Sequence, residues 1–201
     1  LCVAEERWPA RCTPVARVGS GAPVADSGGD RGLAVRWAVR RGVTGEGLLG
    51  LPDGNAHGNA IVLPDCDTPP TEALGLDASP EGIATLCAAL ASAGHRVLVP
   101  HLVNRDDTHP GIPGVRMTNQ PHREFVYRAA FAVGRHILGY EVQKTLAAAD
   151  AFPASFADVP LTPLGYGAGG APAPYASALH HRVALPRRSA HFVPPSPCAR
   201  V

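Results

Sequence analysis

The residues with the most suggestive spacing are Leu164–Gly170, LGYGAGG. Gly165-x-Gly167-x-Gly169-Gly170 has the small-residue frame of a nucleophile elbow, G-x-S-x-G-G, with glycine where the serine would stand. Such a turn needs small residues on either side of the nucleophile because strand and helix meet there at almost no distance. Gly167 has no atom that could attack a carbonyl or carry an acyl group, so the steric frame is present and the attacking group is not. The same glycines satisfy G-x-G-x-x-G, the phosphate turn of a dinucleotide site. That site also needs a helix directly after the turn and an acidic residue about 20 positions on. Pro172 and Pro174 weaken the helix and no acidic residue follows, so the elbow reading is preferred.

Two further clusters could do chemistry. Asp65, Cys66 and Asp67 follow a strand-like run, where α/β sheets place functional groups. They read either as turn-forming carboxylates around a buried thiol or as a cysteine nucleophile, and the latter needs a histidine base within reach. His101, Asp106, Asp107 and His109 lie close together in a long polar stretch, as a solvated loop, a cleft border or a metal site. They lack the single helix face on which an HExxH site displays its ligands. No metal and no cofactor are expected. Arg123, Glu124, Arg128, Arg135, His136, Glu141 and Lys144 decorate a helical region, with Glu124 and Arg128 spaced as an i, i+4 pair.

These groups need elements to hold them. Leu33–Trp37 and Gly47–Leu51 read as an antiparallel hairpin, with a turn-rich link over 52–58. Asn59–Pro64, NAIVLP, has the unbroken apolar pattern of a strand buried on both faces. Pro80–Ala93 carries Ile83, Leu86, Cys87 and Leu90 at helical spacing and stops at Gly94, and His95–Pro100 is a second buried strand. Strand, helix and strand in succession imply a βαβ unit and parallel pairing. Over 122–152 the apolar residues Phe125, Ala129, Val133, Ile137 and Leu138 predict one helix face. Tyr140, Val142, Leu146 and Phe152 continue it, and Gly134 and Gly139 allow a kink or two helices. Leu161–Leu164 is then the short strand before the elbow.

Composition bounds the possibilities. The 201 residues are 45% apolar and 17% charged, enough for one domain with a sizeable core. A net charge of +1 gives no case for a nucleic-acid partner. Cys2, Cys12, Cys66, Cys87 and Cys198 contain no CxxC and no spacing that suggests a disulfide scaffold or structural zinc. No basic segment leads into an apolar run at the start, and no stretch reaches the length of about 18 apolar residues that a membrane helix needs. The expectation is a cytoplasmic protein by default, with no signal peptide, no membrane segment and an oligomeric state left open.

With these elements placed, the chain from about Trp37 to Tyr175 resembles the α/β-hydrolases of the dienelactone-hydrolase-like group, including its acetyl-xylan-esterase-like branch. AIVLPDCD, AGHRVLVP, REFVYRAAFAVGRHILGYEVQKTLAAADAF and LGYGAGG carry the resemblance. It implies a carboxylic-ester hydrolase lineage and a small-molecule ester or carbohydrate as ligand. It makes Pro64–Asp67, with Asp65 and Cys66, the oxyanion-side loop with Ala168 as neighbour, His101–Arg105 a loop beside the active site, and Gly167 the degenerate nucleophile position. In that group the acid and histidine follow the nucleophile in the chain. Beyond Gly167 this sequence has no acidic residue, and its histidines are His180, His181 and His191. The last 41 residues also hold seven prolines and lose all periodicity. The expected fold is therefore a partial α/β-hydrolase fold, a mostly parallel sheet with flanking helices whose C-terminal strands are missing or replaced, as after a reading-frame shift. The expected division is an irregular segment at 1–31, the partial domain at 32–179 and an irregular tail at 180–201. An inactive hydrolase relative is the leading expectation; a ligand-binding or structural member of the fold, or a fragment without function, is the alternative.

Overall fold

The structure, a computed structural model, describes residues 13–14, 26–27, 30–52, 54–76, 82–108, 113–115, 117–155 and 161–180. Most of the segments expected to be irregular, 1–31 and 180–201, lie outside these described residues, as does His109.

The hairpin is longer than its apolar core suggested. Strands β3 (Asp30–Arg40) and β4 (Val43–Leu51) pair from Arg31↔Leu51 to Arg40↔Val43, with a register shift between Ala38 and Arg40. The turn is Arg41–Gly42. Arg36 and Glu46 extend the ladder past the apolar residues by pairing across it, Nη2 to Oε1 at 2.6 Å. Two short strands, β1 (Thr13–Pro14) and β2 (Asp26–Ser27), pair antiparallel with β3.

Strand β5 (Gly58–Leu63) is buried at all six positions, as its apolar run predicts. It lies between β6 (His95–Pro100) and β7 (Leu161–Gly165), parallel to both. Strand β6 also pairs antiparallel with β4, so the sheet is mixed and runs β1-β3-β4-β6-β5-β7 with β2 beside β3. Its parallel centre carries two apolar faces. Ala60, Val62, Val97 and Val99 meet Ile83 and Cys87 of α2 (Ile83–Ser92) and Ala73 of the single turn α1 (Pro70–Ala73). Ile61, Leu63 and Leu98 meet Ala148, Ala151 and Phe152 of α4 (Ile137–Ser155), together with Ala173 of α5 (Pro172–Leu179). The result is a three-layer partial α/β fold. Trp37, 1% exposed, pins the hairpin to the α4 layer, its indole N–H donating to the Lys144 carbonyl at 3.2 Å.

The helical region 122–152 is two helices. α3 (His122–Ala132) ends where the N–H groups of Val133 and Gly134 bond back to Ala130 and Phe131, and Gly134 takes φ +71°. The break rephases the pattern. Ile137, Val142 and Leu146 are buried, but Phe125, Phe131 and Val133 are exposed, so the single apolar face expected across both helices does not exist. No helix among the described residues is long and apolar enough to cross a membrane.

Candidate functional site

Strands β5, β6 and β7 all point their C-terminal ends to one edge of the sheet, and the loops that leave them converge there. The turn after β7 is tight. Tyr166 N–H still bonds to Leu63 O at 2.9 Å, then Gly167 takes φ +56° and a 3-10 turn, Gly167–Gly170, runs into α5. A Cβ on Gly165 would strike the carbonyl of Gly169, and one on Gly169 would strike the carbonyl of Leu63. The two glycines let strand and helix backbones touch, as an elbow requires. Gly170 faces open space and has no such role. Pro172 and Pro174 do not break α5: Pro172 opens the first turn, where a missing N–H costs nothing.

The space beside Gly167 is taken. Asp65, two residues past β5, turns its side chain toward the elbow, and Oδ2 accepts the Ala168 N–H at 2.9 Å. A Cβ on Gly167 would lie 2.5 Å from that oxygen and 3.0 Å from the Asp65 Cβ. Arg105, five residues past β6, holds the other side. Its Nη1 reaches Asp65 Oδ1 at 3.0 Å and Asp67 Oδ2 at 2.5 Å, and its backbone N–H donates to Asp67 Oδ1 at 2.7 Å. Burial pushes the Asp65 carboxyl up, but the N–H groups of Ala168 and Asp67 and the Arg105 guanidinium outweigh it, so it is held below its usual range. The Arg105 backbone N–H and guanidinium hold Asp67 low as well. Both are carboxylates at neutral pH.

Cys66 lies between them, 4% exposed, with Sγ 3.7 Å from a carboxylate oxygen of each. Burial raises its thiol to about 11, and the nearby Arg123 and Arg105 only partly offset that. This is a protonated thiol with no histidine bonded to it among the described residues, which gives no support for Cys66 as a nucleophile. Asp65, Cys66 and Asp67 form the one group among the described residues with side-chain atoms close enough to share a cation. The Arg105 guanidinium already contacts both carboxylates and offsets one of their two charges, which makes a poor cation site.

His101, Asp106 and Asp107 do not assemble with one another. The His101 backbone N–H bonds to Glu46 O, and its carbonyl accepts Lys144 Nζ at 2.9 Å. Burial and the adjacent Lys144 lower the His101 imidazole. Asp106 folds back on Thr108, accepting its N–H at 3.0 Å and its hydroxyl at 2.8 Å. His122 then closes the loop, bonding Asn104 and the Thr108 carbonyl. Arg123 and Glu141 join α3 to α4 through a two-armed ion pair at 2.5 and 3.1 Å, with Arg123 also donating to Val103 O. Glu124–Arg128 is an exposed i, i+4 pair at 2.7 Å.

One histidine after the elbow does meet a carboxylate, but one that precedes it in the chain: His180 Nε2 lies 2.8 Å from Asp150 Oδ1. It lies past the far end of the eight-residue α5, about 12 Å of helix beyond the end that follows the elbow. The imidazole is completely buried. It ties α5 to α4 and is not presented to the elbow.

The sequence points to Gly167, Asp65, Cys66 and Ala168, and the resemblance sets the loop His101–Arg105 beside them, but neither gives the Arg105 side chain a role. Its signal was weak but present: it lies five residues beyond its strand as Asp67 lies four beyond the parallel neighbour.

No family model and no curated protein matches this chain. Solved structures do. A candidate acetyl xylan esterase from Bacteroides fragilis superposes with a TM-score of 0.63 at 12% identity, over 90% of this chain and 48% of that one. The shared property is the fold. A cold-adapted esterase from an Arctic intertidal metagenomic library gives 0.52 at 13% identity, over 82% and 60% of the two chains. Acetyl Xylan Esterase 1 from Thermoanaerobacterium gives 0.52 at 13%, over 90% and 51%. The chain thus spans between 48% and 60% of the length of these three structures.

Proposed function

We propose that residues 32–179 form a partial domain of the carboxylic-ester-hydrolase type that does not turn over esters. The observation that carries this reading is the elbow itself. Gly167 occupies its apex without a hydroxyl, and the Asp65 carboxylate fills the space where a side chain at 167 would begin. Acyl transfer needs a nucleophile, a base and a donor for the developing oxyanion. The first is missing, and the described histidine that follows is buried in a helix–helix contact. The Ala168 N–H already has an anionic partner. The fold likeness to esterases supports the lineage, and Asp65–Asp67, Arg105 and Gly167–Ala168 are the residues that would border its former cleft.

The test is hydrolysis of p-nitrophenyl acetate by the full chain. The expected result is a rate equal to the buffer background. Turnover at an ordinary enzymatic rate, about 1 per second or more, overturns the reading. Gly167→Ser alone is expected to stay at background too, because its Cβ meets Asp65 and no described base faces it.

A further inference from the structure

Asp65 makes a contact that a worn-out elbow does not need. A glycine at the apex and an unoccupied amide beside it would already abolish chemistry. Instead Asp65 Oδ2 lies within hydrogen-bond distance of the Ala168 N–H and in the path of any Cβ at 167. Its Oδ1 is fixed by Arg105 and by the Asp67 N–H at 3.3 Å. In an elbow, the N–H of the residue after the nucleophile is a donor to the developing oxyanion. We propose that the Asp65 carboxylate is an internal stand-in for that oxyanion, and that removing it opens a site for a small external carboxylate between Ala168 and Arg105. The inference rests on the elbow reading above and adds to it the identity of the occupant.

The geometry has two consequences. Position 167 and position 65 are mutually exclusive in bulk: glycine at 167 is what lets Asp65 reach the amide. The donors belong to the backbone of one loop and the side chain of another, so they outlast the loss of Asp65. Formate has the shape and charge of the missing carboxylate head, and a protein that lacks that head is expected to take it up.

The experiment compares the full-length wild type, Asp65→Gly and Asp65→Asn. In Asp65→Gly the Ala168 amide resonance is expected to move saturably with sodium formate and not with sodium chloride at the same ionic strength; in the wild type it does not move. Asp65→Asn keeps the shape of the side chain and loses its charge. There the Ala168 amide proton is expected to shift upfield of its wild-type position and to ignore formate. As a stability readout, Gly167→Ala should lower Tm less in Asp65→Gly than in the wild type, since the positive-φ penalty is common to both and the clash with Asp65 is not. Formate acting equally on wild type and Asp65→Gly, or on neither, overturns the proposal. So does an unchanged Ala168 resonance in Asp65→Asn, which remains decisive if Asp65→Gly does not fold. Ester turnover by the wild type would end the reading of inactivity and leave the formate result standing; the converse outcome would remove only the stand-in role of Asp65.

Discussion

Gly165, Gly167 and Gly169 differ in what they do although the sequence writes them identically. Gly165 and Gly169 are steric requirements, since a methyl group on either enters the backbone of a neighbouring segment. Gly167 is conformational, at φ +56°, and is also the neighbour of Asp65. The steric frame was legible because small residues at fixed spacing are a local pattern. The Asp65–Ala168 bond was not, because it joins residues 103 apart and no periodicity encodes a side chain that leaves its own loop. Cys66 gives a prediction at this scale. With its thiol at about 11, thiolate at pH 8 is about one part in a thousand, against roughly a quarter for an ordinary cysteine near 8.5. Alkylation by iodoacetamide at pH 8, followed by peptide mass mapping, is expected to leave Cys66 largely unmodified in the folded protein. Labelling should accelerate as pH rises toward 11, because the thiolate fraction grows with pH. Rapid labelling at pH 8 without unfolding would show that burial does not protect this thiol.

At the scale of elements, α3 is held in an unusual way. Ala130 is its only buried residue, while Phe125 and Phe131 face out. The apolar stripe expected across 122–152 fails because a break rephases the pattern, and of the two glycines that allow one, Gly134 and Gly139, only the structure shows that it falls at Gly134. What attaches α3 is polar: His122 to the 104–108 loop, and Arg123 to Glu141 and the Val103 carbonyl. The Glu141 side chain is 4% exposed and that of Arg123 19%, so the pair is desolvated. Burial lowers the Arg123 guanidinium, and Glu141 more than offsets this. Breaking such a pair from one side leaves a charge without its partner and costs about 3–5 kcal/mol. Glu141→Ala is therefore expected to lower the free energy of urea unfolding by about 3 kcal/mol, toward the low end because Arg123 retains some water. Arg123→Met with Glu141→Leu should recover most of the loss. A single-variant loss below about 1 kcal/mol would mean that α3 owes little to this pair.

Across the whole molecule, the parallel centre was legible in NAIVLP and HRVLVP, since strands buried on both faces need unbroken apolar runs. The antiparallel pairing of β4 with β6 was not, because strand neighbours distant in sequence are chosen by packing on Trp37 and α4 and not by local pattern. The same sheet raises a question at its other side. Among the described residues, β7 has β5 on one edge and nothing on the other. Tyr166 N–H points to β5, and N–H groups alternate sides along a strand, so those of residues 162 and 164 point inward and position 163 faces the free edge. Residue 163 is proline, which has no N–H to offer there. Proline in a sheet is tolerated on an edge strand, and a gap in the donor row makes that edge a poor template for another chain. Pro163→Val restores the donor and adds a residue suited to strands. It is expected to increase self-association, seen as a higher weight-average mass by light scattering on size exclusion as concentration rises, while the far-ultraviolet dichroism of the fresh monomer stays unchanged. An unaltered mass across that concentration range would show that the outer edge of β7 is protected by something other than its missing donor.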